Sequence, residues 1–183
     1  MPWAFAWLAE MSVELYRQMH ATGHFPGHST KKNSALIKSL IALHEAVTIL
    51  DFGSGKGKQY DEDKLHEEWG VPRPTLYDPA VIGISSLPNA FRPFDGVICC
   101  DVLEHLEGDE LRHAIFNATL RAKKFAFFSI SCRPAKKILP DGRNCHLTIE
   151  PPDWWRATID AHRFKGSLKC PEVSLKFDDG EDK

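Results

Sequence analysis

The sequence predicts an α/β domain, a mostly parallel sheet with helices on both faces. Short apolar runs at 48–52, 75–78, 94–101 and 124–130 alternate with stretches of helical periodicity. The runs are too apolar for strands with one wet face, which suggests burial on both sides. Asp51, Asp78 and Asp101 stand at or beside the ends of three of these runs, and a turn rich in glycine, Gly53-Ser54-Gly55-Lys56-Gly57, follows the first directly.

The chain has 183 residues, enough for one core, and its 43% hydrophobic content is that of a globular protein. A net charge of −2 excludes a general electrostatic pull toward nucleic acid or anionic membranes. The five cysteines form no Cys-x-x-Cys pair, and Cys99 and Cys100 are adjacent in an apolar run. Reduced, buried thiols in a cytoplasmic protein are expected. Residues 1–8 are apolar but lack a basic flank and soon meet Glu10, so neither a signal peptide nor a membrane span is predicted. The expected organisation is one domain over 1–177, with helices and a lid in 1–46, and an acidic tail over 178–183.

Trp3, Trp7, Leu8, Met11, Leu15 and Met19 recur at helical spacing and predict an amphipathic helix over 3–20. His20, His24 and His28 are four apart, but Gly23, Pro26 and Gly27 break any helix that would put them on one face. The loop 23–29 is instead placed to close over a ligand. Ser29 or Thr30 is expected to cap a second helix carried by Ile37, Leu40 and Ile41. After the glycine turn, 58–69 reads as an exposed helix ended by Gly70 and Pro72. A further helix is expected over 109–121, then a long loop at 131–144 and a helix starting at Pro151-Pro152-Asp153. Residues 164–170 and 173–177 are expected to close the sheet as an antiparallel pair.

Glycines after a strand let the backbone turn sharply and approach a ligand closely. The helix start beyond them presents free N–H groups. The spacing differs from the Gly-x-Gly-x-x-Gly of dinucleotide-binding loops, because Lys58 stands where the third glycine would fall. A nicotinamide ligand is therefore disfavoured. Asp78, about twenty residues past the glycines, stands where a carboxylate takes the hydroxyls of a ribose.

Together, Asp51 to Gly57, Asp78, the Phe94-Asp95 strand and Asp101-Val102-Leu103-Glu104-His105 resemble the ordered motifs of the class I S-adenosylmethionine-dependent methyltransferases. The resemblance spans about residues 35–160 and says little about the acceptor. It implies a Rossmann-like sheet with an antiparallel last strand, S-adenosyl-L-methionine over the first strands, and methyl transfer to oxygen or nitrogen. Gly53, Ser54, Gly55 and Gly57 would approach the methionine part, Asp51 its amino group, and Asp78 with Pro79 the ribose. Asp101 and Val102 would border the cofactor. One departure stands out: the stretch 79–93 is too short for the strand–helix unit usual there, so that unit is shortened or missing.

His146 follows the long loop and would either act as a base toward an acceptor hydroxyl or hydrogen-bond the backbone. His105 is the second candidate. Asp101, Glu104, His105 and His146 also resemble the acid-x-x-Glu-His…His pattern of metal-dependent branches, including small-RNA terminal 2′-O-methyltransferases. Such a set would hold a divalent metal, Mg or Mn, that acidifies an acceptor hydroxyl of RNA or a diol small molecule; the resemblance equally covers metal-free members, in which Glu104 and His105 would help start the helix. Here Asp101 replaces the glutamate of those branches, which shortens the reach. Arg133, Lys136, Lys137 and Arg143 read first as a solvated charged loop, with reception of a phosphate or nucleic acid as the alternative, and one of Trp154 and Trp155 is expected to pin its helix to the sheet. The acceptor stays open between a small molecule and a nucleic acid, as does the oligomeric state. A methyltransferase-like module that binds without turnover is the alternative from a different class.

Overall fold

The computed structural model describes residues 13–25, 27–166 and 171–180. Five strands, β1 (Ile49–Phe52), β2 (Thr75–Tyr77), β3 (Phe94–Cys100), β4 (Ala122–Ser131) and β5 (Glu172–Asp178), form one sheet in the order β2-β1-β3-β4-β5. The helices are α1 (13–21), α2 (Ser34–Leu43), α3 (Lys58–Asp61), α4 (Leu65–Trp69), α5 (Gly108–Leu120) and α6 (Pro152–His162). Of the first predicted helix, 13–20 is helical and 3–12 lies outside the described residues.

Alternation along each strand sorts side chains to two faces. Leu50, Val97, Cys99, Ala126 and Phe128 face Leu111 and Ile115 of α5 and Trp155 and Ile159 of α6. Ile49, Ile98, Phe125 and Phe127 face Ile37, Leu40 and Ile41 of α2, with Tyr60 and Trp69. The expected α/β sheet with helices on both faces is therefore present. Trp155 is fully buried and pins α6, while Trp154 is exposed.

Five expectations need correction. The last strand is parallel, not antiparallel: β5 pairs with β4 in parallel from Phe125↔Glu172 to Ser131↔Asp178. The connection through α6 returns the chain to the starting end of the sheet, whereas an antiparallel neighbour would follow from a short turn. Residues 164–166 form no strand, and 167–170 lie outside the described residues. Ser29 and Thr30 sit in a 3₁₀ turn, Ser29–Asn33, and no side chain caps α2. The helix expected over 58–69 is two short ones, parted where Lys64 takes a left-handed φ of 55°. Asp178 closes β5 and pairs with Arg133 at 2.6 Å rather than opening a frayed tail; 181–183 lie outside the described residues.

Residues 79–93 contain neither strand nor helix, so the expected unit is missing. Hydrogen bonds hold the stretch instead: Asp78 N donates to Ile84 O at 3.0 Å and Arg121 Nε to Pro88 O at 2.7 Å. Among the described residues no helix is long and apolar enough to cross a membrane.

Candidate functional site

A cavity of about 240 Å³ opens at the carboxyl ends of β1, β2 and β3. Strand order reverses between β1 and β3, and such a switch point is where open parallel sheets bind ligands. Its floor includes Gly53, Ser54 and Gly55, and one wall is Asp78, Pro79 and Ala80; Asp101 and Val102 close another side.

The glycine turn is built by close approach. Gly53 has φ +81°, and a Cβ there would lie 2.3 Å from Val102 Cγ2. Its N–H and that of Ser54 both donate to Tyr77 O, at 2.7 and 3.1 Å, tying the turn to β2. Gly55 N donates to Asp78 Oδ2 at 2.9 Å. Gly57 backs onto Leu76, outside the cavity.

The loop predicted to be a lid lies on this turn. Gly27, at φ +85°, is so close that a Cβ would meet Gly57 N at 2.5 Å and Ser54 O at 2.6 Å. Gln59 N donates to Gly27 O at 3.0 Å, which locks lid to floor. Phe25, Gly27, His28 and Ser29 thus line the cavity.

Asp78 is buried, and its second oxygen accepts from Ala80 N at 2.9 Å. Burial raises its carboxyl above the usual range, against the pull of the Ala80 and Gly55 amides. Each oxygen keeps a lone pair for a further donor. Asp51 lies beneath the turn rather than in the cavity wall. Its Oδ2 accepts from Tyr60 Oη at 2.7 Å and Gln59 Nε2 at 2.9 Å, and Gln59 itself lines the cavity. Burial pushes Asp51 up to about 7 despite those two bonds.

His105 and His146 come together, with ring centroids 5.0 Å apart and near-perpendicular planes. Only His105 lines the cavity. Its Nδ1 donates to Cys145 O at 2.7 Å, leaving the Nε2 lone pair free in the neutral ring. Burial, with lesser contributions from His146 and Lys137, lowers it to about 4. His146 Nδ1 donates to the Arg133 carbonyl, so of its two expected roles the structure displays the backbone bond.

The carboxylates of the metal pattern face other partners. Asp101 pairs with Lys32 Nζ at 2.7 Å and accepts from Ser129 Oγ at 3.0 Å. Glu104 is fully buried and accepts from Ser131 N at 2.9 Å. Among the described residues no three histidine, cysteine or acidic side chains are grouped to hold a metal ion. The residues present do not fit the metal that the motif implies.

The opposite wall comes from the first helix and the loops 24–29 and 131–146, the elements the sequence assigns to it, but Tyr16 and His20 are not singled out there by any local signal. Tyr16 of α1 donates to Cys145 O at 2.8 Å, and its ring meets those of Phe25 and His105 at 6.0 and 5.4 Å. His20 also lines the cavity; its Nδ1 is buried without a partner, and burial lowers its basicity. Asp101 takes a left-handed φ of 56°, a strained conformation at the lip of the site. Tyr16 falls outside the apolar stripe of the first helix and Phe25 sits in the loop 23–29, and nothing local aims the two at one another. No protein-family model, no curated protein and no solved structure matches the chain.

Proposed function

We propose that the chain binds S-adenosyl-L-methionine and catalyses methyl transfer to an oxygen or nitrogen of an acceptor. The observation that carries this is the pairing of the Gly53–Gly55 backbone with the Asp78 carboxylate across one cavity at the sheet's switch point. A buried carboxylate that meets only two backbone donors recovers solvation from a pair of ribose hydroxyls. Bare glycine backbone at Gly53 and Ser54 admits the methionine part closely. Gln59, braced by Asp51, presents an amide to the same region.

When bound, the sulfonium supplies an electrophilic methyl carbon, which passes to an acceptor lone pair as the carbon–sulfur bond breaks toward sulfur. Much of the acceleration in such a displacement comes from alignment. Tyr16, Phe25 and Leu106 exclude water from the acceptor side. His105, neutral above about pH 4, offers Nε2 as an acceptor for the hydroxyl or amine proton. It orients the nucleophile rather than removing its proton outright, because so weak a base has little driving force.

Calorimetry with S-adenosylhomocysteine tests the reading. Wild type is expected to bind it, and Asp78→Ala to weaken it by about tenfold or more. The 2′,3′-dideoxy analogue should lose a similar factor on wild type and nothing further on the variant. No measurable affinity in wild type, or equal affinity for both ligands, would discard the assignment.

A further inference from the structure

Building on the methyl-transfer reading, the acceptor's chemical class follows from how the structure disposes of its cations. Four basic residues in the loop after β4 suggest a polyanion when seen in sequence. The fold neutralises two of them. Arg133 pairs with Asp178 at 2.6 Å, and Arg143 with Glu107 and Asp141, each at 2.8 Å. Lys56 is engaged by the His20 carbonyl at 2.9 Å. Among the described residues Lys136 and Lys137 have no carboxylate partner in ion-pair range, and of these only Lys137 lines the cavity.

Lys137 Nζ lies 4.4 Å from the centroid of the Phe25 ring. Beside it Tyr16 and Phe25 each meet His105 edge to face and lie tilted to one another, with Phe25 and His105 centroids 5.6 Å apart. Neither acid at the cavity forms an ion pair with Lys137: Asp101 is paired with Lys32, and Asp78 accepts from two backbone amides. The acceptor half therefore combines flat aromatic edges with one unmatched positive charge. Aromatic edges favour a flat ring, and an ammonium with no carboxylate beside it favours one through a charge-assisted bond. One free cation at the mouth is too few to track a phosphate backbone, whose affinity grows with each phosphate neutralised.

We propose that the methyl acceptor is a small aromatic carboxylic acid, its ring against Tyr16, Phe25 and His105 and its carboxylate on Lys137. The full chain is titrated calorimetrically with 4-hydroxybenzoate and with its neutral isostere 4-hydroxybenzamide, with and without saturating S-adenosylhomocysteine. The acid is expected to bind about tenfold tighter than the amide or better. Lys137→Met should bring the acid down to the amide's affinity while leaving S-adenosylhomocysteine within about twofold. Equal binding of the two probes by wild type, or binding of neither, overturns the proposal. So does a variant that loses S-adenosylhomocysteine but keeps 5′-methylthioadenosine, since Lys137 would then serve the nucleoside's own carboxylate. If wild type ignores the nucleoside yet still prefers the acid, the methyl-transfer reading falls and the acid site stands.

Discussion

Glu104 is the most heavily buried carboxyl beside the site. One oxygen accepts from Ser131 N and the other has no partner. Burial first, then the nearby charge of Asp101, pushes it up to about 8 from an ordinary value of 4.5. Between those values the folded chain keeps a proton that the unfolded chain has released. The stability it contributes is complete below pH 4.5 and lost as pH rises toward 8. Glu104→Gln keeps the acceptor for Ser131 and removes the charge. In urea titrations its advantage over wild type should grow from pH 5 to pH 8.5, to about 1–3 kcal/mol. An advantage that stays flat or shrinks over that range would show that Glu104 is ionised more cheaply than its burial implies. Residue placements were legible where backbone geometry decides them, as with Gly53 and Asp78 at the cavity. They were not where a side chain could turn either way: Asp51 is consumed by Gln59 and Tyr60, and His146 by a carbonyl.

At the scale of elements, the glycine turn is held by a neighbour far along the chain. Val102, just beyond β3, fills the space that a side chain at Gly53 would need. Gly53→Ala adds a methyl into that contact and forces alanine to a left-handed φ of 81°. A loss of about 1–3 kcal/mol is expected by chemical denaturation. Val102→Ala makes room, so the double variant should fall short of the summed losses by about 0.5 kcal/mol or more. Strict additivity would place the strain in the backbone alone. The turn was visible in sequence because glycine spacing is local; its tie to Val102 is not. The split between α3 and α4 and the direction of β5 were hidden for the same reason. One depends on a left-handed Lys64, the other on where α6 delivers the chain.

For the molecule as a whole, the sheet divides its core into two layers, one holding Trp155 and the other Trp69. Both layers share the strands β1, β3 and β4, so neither can melt without stripping the other's support. Urea transitions followed by tryptophan fluorescence and by far-ultraviolet circular dichroism should therefore coincide. Two separated transitions would mean that the layers fold independently. Alternation of apolar runs and helical stretches was enough to foresee the architecture, because a run buried on both sides demands cover on both sides. The missing strand–helix unit was foreseen from length alone.

Among the described residues that omission leaves β2 as the outer rail of the sheet. An unpaired rail is a template onto which another chain can zip, and aggregation follows when it is long and apolar. Here the rail is three residues long, with Pro74 before it and Pro79 just beyond Asp78. Proline offers no amide to a newcomer, so additional strands find little purchase. At the far rail, β5 carries Glu172, Lys176 and Asp178, charges that resist stacking by copies of the same chain. A sheet trimmed on the side of its cavity thus keeps its borders unattractive to other strands.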